Sequence, residues 1–165
     1  MAQNPEHAVT AWLRDAYAME KASIEALEHQ VKHADHIPQL KSRLQGHLDE
    51  TRRHADLVKE CIEARGESTS TLKNMHGKLI GMIQGSGPGA APDSLVKDTL
   101  ASIGAEHFEI ASYKALVDGA RRIGDTKTAD VCERILREEE AQARFLESQL
   151  TPVVDEHLRS LTAAA

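Results

Sequence analysis

The chain has 165 residues, 41% of them hydrophobic and 28% charged, which suits one globular domain and excludes a chain too polar to fold. Its formal net charge of −6 gives nucleic acid no electrostatic attraction to the surface. Because no run of roughly 18 apolar residues and no signal-peptide pattern is present, we expect no membrane contact and a cytoplasmic location.

Two long helices are predicted in the first 66 residues. Between about Glu6 and His33, core-facing positions recur at steps of three and four. They are Val9, Leu13, Ala16, Glu20, Ile24, Leu27 and Val31. A second helix is predicted from about Pro38, a residue that suits a first turn, to Arg65. Its stripe consists of Leu40, Leu44, His47, Thr51, His54, Val58 and Cys61.

A long connection follows the second helix. The stretch ESTSTLKNMHGKLIGMIQ is predicted to contain a short helix, and the following GSGPGAAPD is typical of a loop. With roughly 27 residues, this connection is long enough to cross the length of a helical bundle.

Two further helices are predicted after this crossover. The third begins at Asp93 or Ser94 and ends near Gly124. Its stripe consists of Val96, Leu100, Ile103, Ile110, Tyr113 and Val117. The fourth runs from about Thr126 to Leu150, and Pro152 marks its end. Its stripe consists of Val131, Ile135, Leu136, Glu139, Leu146 and Leu150.

These elements predict an all-α fold. Two short turns and one long crossover between helices 2 and 3 are the connectivity of a ferritin-like four-helix bundle. We expect residues 1–150 to form a single ferritin-like domain and residues 151–165 to form a partly frayed tail.

Carboxylates interrupt the apolar stripes of the first and fourth helices. Glu20 and Glu139 each occupy a core-facing step. Because burying an unpaired carboxylate costs several kcal/mol, such a position indicates a bound cation or a raised pKa. Taken singly, either residue could instead reach solvent if its helix were slightly rotated.

The other two helices also carry potential ligands. His47 and Glu50 lie three residues apart on one face of the second helix, and Glu106 and Glu109 do so on the third. Glu20 and Glu50 are separated from the turn between helices 1 and 2 by similar numbers of residues, and Glu106 and Glu139 from the turn between helices 3 and 4. The members of each pair are therefore expected at similar depth in the bundle. Two iron or manganese ions in a bundle core take carboxylates from all four helices, together with imidazole. The predicted metal ligands are Glu20, His47, Glu50, Glu106, Glu109 and Glu139.

The pattern departs from the usual Glu-x-x-His pair of such sites. Arg53 stands three residues after Glu50, and Gln142 stands three residues after Glu139. The imidazole ligand therefore stays open among His47, His54 and His107. A structural alternative also stays open, in which the acidic residues pair with Arg14, Arg53 or Arg144.

Four stretches of the sequence resemble the YciE/YciF family of ferritin-like bacterial stress proteins. They are DAYAMEKASIEAL around Glu20, HLDETRRHADLV around Glu50, AEHFEIASYKAL around Glu106 and LREEEAQARFL around Glu139. The resemblance runs from about residue 10 to residue 150. It implies a rubrerythrin-like bundle, a homodimer, a two-metal site and expression linked to stress, and it leaves the reaction open.

Two functions are compatible with these patterns. The favoured one is an oxidoreductase of the catalase, peroxidase or ferroxidase type, in which two iron or manganese ions react with peroxide or dioxygen. The alternative is a non-catalytic stress protein that binds metal or a partner protein. A homodimer is also expected because Trp12, Ile24 and Leu57 lie beside the main apolar stripes.

Overall fold

The computed structural model describes residues 4–34, 37–68 and 94–163. These residues form four α-helices, namely α1 Pro5–His33, α2 Pro38–Glu63, α3 Ser94–Arg122 and α4 Thr126–Ala163. The main contacts join α1 to α2 and α3 to α4, and further contacts of α1 with α3 and of α2 with α4 complete the bundle. The predicted ferritin-like four-helix bundle is confirmed. The short helix predicted in the crossover lies outside the described residues.

Local signals in the sequence explain where these helices begin and end. The Asn4 side chain accepts a hydrogen bond from the backbone N–H of Glu6 and caps α1. Asp125 caps α4 in the same way, since its carboxylate accepts from the backbone N–H of Thr128 at 3.0 Å. Gly66 and Gly124, which follow α2 and α3, have φ angles of 72° and 78°. Glycine adopts this left-handed conformation without a steric penalty.

The predicted end of the fourth helix at Pro152 is wrong, because α4 continues through this residue to Ala163. Proline removes one backbone donor and disfavours a helix interior. Here the next residue, Val153, is buried in a cluster that also contains Leu40 and Leu146. The burial of Val153 offsets the cost of the proline, so the helix includes residues 151–163. Partial fraying of residues 151–165 stays a prediction.

Two apolar clusters fill the bundle, one on each side of a polar layer. The first cluster is nearer the turn between α3 and α4 and includes Leu13, Met19, Val58, Leu116 and Ile135. The second cluster includes Ile24, Leu27, Leu44, Leu48 and Leu146. Glu20 on α1 and Glu139 on α4 each lie between residues of the two clusters and are fully buried. The polar layer is therefore closed by apolar side chains on both sides.

One core prediction on α3 is wrong, since the Leu100 side chain is 52% exposed. Thr99 and Ser102 are buried instead, and their hydroxyls donate to the backbone carbonyls of Leu95 and Asp98. Because these hydroxyls are paired within the helix, α3 can turn this face inward. Among the described helices, none is long and apolar enough to cross a membrane.

The three residues expected at a dimer surface differ in exposure. Ile24 is buried inside the bundle, and Leu57 packs partly buried against the first cluster. Trp12 is 44% exposed and covers Gly119 of α3. A Cβ at Gly119 would lie 2.8 Å from Cζ3 of the indole, so a side chain there would clash with Trp12. Of the three, Trp12 alone presents a large apolar surface to solvent.

Candidate metal centre

The polar layer consists of carboxylates from α1, α3 and α4 and of two histidines from α2. Its buried members are Glu20 on α1, His47 and His54 on α2, Glu106 and Glu109 on α3, and Glu139 on α4. The two histidines are seven residues apart, which is close to two helical turns, so both leave the same face of α2. That face is directed into the bundle, because Leu44, Thr51 and Val58 at the neighbouring stripe positions are also buried.

Two groups of these side chains have metal-ligand spacing, and Glu139 belongs to both. Within each group the ligand atoms lie within 4.8 Å of one another. In the first group, His47 Nε2 lies 3.3 Å from Glu106 Oε1 and 3.7 Å from Glu139 Oε2. In the second group, His54 Nδ1 lies 2.8 Å from Glu139 Oε1 and 3.8 Å from Glu20 Oε2. The two oxygens of Glu139 therefore face different groups.

Several ligand atoms of the two groups are buried without a hydrogen-bond partner in the described part of the chain. They are Oε2 of Glu20, Oε2 of Glu106, both oxygens of Glu139 and Nδ1 of His54. The 2.8 Å separation of His54 Nδ1 and Glu139 Oε1 is short enough for a hydrogen bond, but its geometry does not make one. Such atoms are costly unless something else pairs with them. Divalent cations with a preference for oxygen and imidazole fit this set.

A surface ion pair orients the second histidine. His54 Nε2 lies 2.6 Å from Oε2 of Glu138, and the guanidinium of Arg53 donates to the same oxygen. Burial tends to raise the pKa of Glu138, but the hydrogen bonds from His54 and Arg53 lower it below its ordinary value. The ionised Glu138 accepts the Nε2–H of His54, which leaves the lone pair of Nδ1 directed at Glu20 and Glu139.

Glu50 has a similar relationship with His47. Its Oε2 lies 3.3 Å from His47 Nδ1, and Arg43 donates to its Oε1 at 3.2 Å. The hydrogen bond with His47, reinforced by Arg43, lowers the pKa of Glu50 to about 2. The side chain of Glu50 is 28% exposed. Glu50 therefore lies at the rim of the layer and contacts the ring nitrogen of His47 that faces away from Glu106.

The carboxylates inside the layer retain protons more strongly than free glutamate does. Burial and the charges of neighbouring carboxylates raise the pKa values of Glu20 and Glu109 well above the ordinary value. Burial raises the pKa of Glu106 to about 7. Tyr113 donates a hydrogen bond to Glu20, and Ser23 donates one to Glu109, which oppose these shifts.

The imidazole of His47 also favours its protonated form. Burial alone would lower the pKa of His47, but hydrogen bonds with Glu106 and Glu50 raise it well above the ordinary value. Without a cation, the layer therefore holds protons at neutral pH. A cation that binds there must displace them.

The structure brings four of the six predicted ligands into the two groups, namely Glu20, His47, Glu106 and Glu139. Glu109 is buried in the same layer and accepts from Ser23, while Glu50 lies at the rim. His54 was left out of the predicted set although its place on the stripe of α2 pointed inward. His107 lies on the surface, where its Nε2 is 2.9 Å from Glu147 Oε1. The ligand role of each of the six residues stays a prediction.

Two of the three arginines named in the structural alternative, Arg14 and Arg53, pair with carboxylates outside the buried layer. Arg14 pairs with Glu67 at 2.6 Å, and Arg53 pairs with Glu138 and not with its buried neighbour Glu139. Neither of these arginines compensates the charge of the buried layer.

Comparison with known proteins agrees with this architecture. Residues 4–159 match the family described as "Domain of unknown function (DUF892)". The chain belongs to this family. A Xanthomonas campestris pv. campestris protein is 31% identical to it with a TM-score of 0.83, and the match covers 96% of this chain and 99% of that chain. The Escherichia coli stress protein YciF is 24% identical with a TM-score of 0.75, over 93% of this chain and 98% of that chain.

The resemblance of this DUF892 chain to the YciE/YciF family is thereby confirmed. A bacterioferritin of Desulfovibrio desulfuricans, described as having a diiron site in different catalytic states, is 23% identical with a TM-score of 0.73. That match covers 99% of this chain and 92% of the bacterioferritin. At this identity the similarity shows a shared ferritin-like fold.

Proposed function

We propose that this DUF892 protein binds two iron or manganese ions in its polar layer and that the pair reacts with peroxide or dioxygen. The observation that carries the proposal is the position of Glu139. Both of its oxygens are buried without a hydrogen-bond partner in the described residues, and each faces a different ligand group. A carboxylate in this position can bridge two cations, which is how bundle-core sites hold a metal pair.

Each half of the site would have its own ligands. His47 and Glu106 would hold one cation with Glu139, and Glu20 and His54 would hold the other with Glu139. When bound, two such cations supply electron exchange with a small oxidant. Both iron and manganese accept this mixture of carboxylate and imidazole, so the ligand set does not distinguish them.

The residues around the ligands would orient them and exclude water. Tyr113 is fully buried and donates to Glu20, which directs the other oxygen of Glu20 at the second group. Glu138 holds His54 in the orientation described above. The two apolar clusters above and below the layer limit the access of bulk water. A dry site strengthens the attraction between its carboxylates and a cation.

The proposal includes no internal electron relay of the rubredoxin type. Cys61 and Cys132 are the two cysteines of the chain, both are buried, and they do not form a Cys-x-x-Cys pair. Disproportionation of peroxide by a metal pair needs no such relay, because peroxide both accepts and donates the electrons. Expression under stress and a cytoplasmic location stay predictions.

The experiment compares metal loading with oxidant consumption. Protein purified without added metal is analysed for iron and manganese, loaded with Fe(II) or Mn(II), and mixed with hydrogen peroxide, whose absorbance is followed. Dioxygen is followed with an electrode. We expect loaded protein to consume one of these oxidants, and the Glu139→Gln variant to lose both the second ion and the turnover. Glu147→Gln, which alters a surface carboxylate, serves as the control.

The two functions considered for this chain give different results in this experiment. Two bound ions without consumption of either oxidant would contradict the oxidoreductase and favour the non-catalytic metal-binding protein. Absence of bound iron and manganese after loading would contradict both the oxidoreductase and the metal-binding protein, and would favour the protein that acts through a partner.

A further inference from the structure

Gln142 of α4 is a fully buried polar residue that belongs to neither ligand group. It lies three residues after Glu139, so the two side chains leave neighbouring positions on one face of α4. Neither Oε1 nor Nε2 of its amide has a hydrogen-bond partner in the described part of the chain. A glutamine amide offers two N–H donors and an oxygen with two lone pairs, and here all of them are unpaired.

Contacts between α3 and α4 place Gln142 at the depth of the polar layer. Two ion pairs bracket it, namely Lys114 with Glu140 at 3.4 Å and His107 with Glu147 at 2.9 Å. The residues of α3 between these pairs include Glu109, a buried carboxylate of the layer. Gln142 is therefore at the height of the carboxylates and not deep in one of the apolar clusters.

Contacts between α2 and α4 show which half of the polar layer lies nearer to Gln142. The two helices run antiparallel, because Arg53 pairs with Glu138 whereas the later Arg65 pairs with the earlier Asp125. Residues that follow Glu138 on α4 thus lie beside residues that precede Arg53 on α2. Moving one turn along α4 from Glu138 leads from the level of His54 toward that of His47.

An unpaired amide at this position is difficult to explain by packing. Methionine or leucine would fill similar space without the cost of burying polar atoms. In the usual ligand pattern of such bundles, the position three residues after the glutamate of the last helix is a histidine that binds metal. Gln142 occupies that position, and its amide oxygen is a neutral donor that suits the same divalent cations.

We propose that Gln142 is a metal ligand of this chain, with Oε1 binding the cation held by His47, Glu106 and Glu139. This inference rests on the proposed function. A neutral oxygen at this place adds a ligand without adding negative charge to a layer that already contains four buried carboxylates. The cation would supply the partner that Oε1 lacks among the described residues.

The test substitutes Gln142 and measures both metal affinity and the stability of the metal-free protein. We expect the affinity to fall and the stability to rise. In Gln142→Met, the dissociation constant for Mn(II), measured by competition with a chelator, should rise about tenfold or more. The melting temperature of the metal-free variant should rise by roughly 2–8 °C, because the substitution removes an unpaired buried amide. Leu146→Met changes a buried residue one turn further along α4 and should leave the dissociation constant within about twofold.

A second variant keeps the polarity of the position. Gln142→Glu supplies a charged oxygen ligand, so the metal-dependent rise in melting temperature should be larger than in the wild type. An unchanged dissociation constant in Gln142→Met, whatever its melting temperature, would overturn the ligand role and show that the amide is structural or hydrated. Wild-type protein that binds no Mn(II) or Fe(II) would instead overturn the proposed function, so the two failures are distinguishable.

Discussion

His54 and Glu138 contact each other at 2.6 Å across the boundary between the buried layer and the surface. The histidine is fully buried, whereas the carboxylate is 28% exposed and also accepts a hydrogen bond from Arg53. The contact uses Nε2 and leaves Nδ1 inside the bundle. The surface pair therefore determines which ring nitrogen of His54 faces Glu20 and Glu139.

We predict that Glu138→Ala weakens metal binding although Glu138 is not a ligand. Without its acceptor, the ring of His54 can rotate or adopt the tautomer that carries its hydrogen on Nδ1, so the metal dissociation constant should rise about 10–100-fold. Glu147→Ala is the matched control, since it removes the carboxylate partner of the surface residue His107. Equal dissociation constants for Glu138→Ala, Glu147→Ala and the wild type would mean that Glu138 does not orient His54.

Metal affinity should increase with pH. The pKa of Glu106 is raised to about 7, and burial also raises the pKa values of Glu20 and Glu109, so protons compete with the cation at neutral pH. Below about pH 7 the proton on Glu106 must be displaced, and above it the carboxylate is already ionised. Calorimetric titrations in buffers of different ionisation enthalpy should show proton release on binding. An affinity that is constant between about pH 6 and pH 8 would contradict this assignment.

The same groups predict how the stability of the metal-free protein depends on pH. A carboxyl group with a raised folded pKa binds its proton more tightly in the folded chain, so stability falls as pH rises from 4.5 to about 7 for Glu106. The raised pKa of His47 acts in the same direction, because its stabilising contribution is lost as pH rises through the folded pKa. The melting temperature of metal-free protein should be lower at about pH 8 than at about pH 6, and Glu106→Gln should reduce the difference.

Assembly as a homodimer stays a prediction, and the surface of the bundle supports it. In the part of the chain that the structure describes, five large apolar side chains are exposed, namely Trp12, Leu100, Phe108, Leu158 and Leu161. Burial of such residues in a symmetric interface would remove them from water. Light scattering at micromolar concentration should give about twice the chain mass of 18.1 kDa. A measured mass of one chain would contradict the dimer.

Much of the fold was predictable because helices and their ends depend on local sequence. The stripes on α1 and α2 identified the buried faces, including the inward positions of Glu20 and His47. The extension of α4 past Pro152 was not predictable in this way. It depends on the burial of Val153 against residues of other helices, which no local pattern shows.

The site was less predictable than the fold, because ligand pairing depends on how each helix is rotated about its axis. A shift of one residue turns a side chain by about 100°. His47 and Glu50 lie on one face in the sequence pattern, yet Glu50 lies at the rim while His54 reaches the interior. Glu138 lies next to a buried carboxylate and contacts a residue of another helix 84 positions away. Such a contact is visible only when the helices are placed together.

Melting temperatures with and without metal test the central claim, that Glu20 and Glu139 are buried metal ligands. Metal at a hundred times its dissociation constant should stabilise the wild type by about 2.7 kcal/mol. The double variant Glu20→Gln, Glu139→Gln loses the repulsion between the two carboxylates. After treatment with a chelator, its melting temperature should therefore equal or exceed that of the metal-free wild type. Added Fe(II) or Mn(II) should raise the melting temperature of the variant much less than that of the wild type. Equal losses of stability with and without metal would contradict the two-metal site and identify both residues as structural.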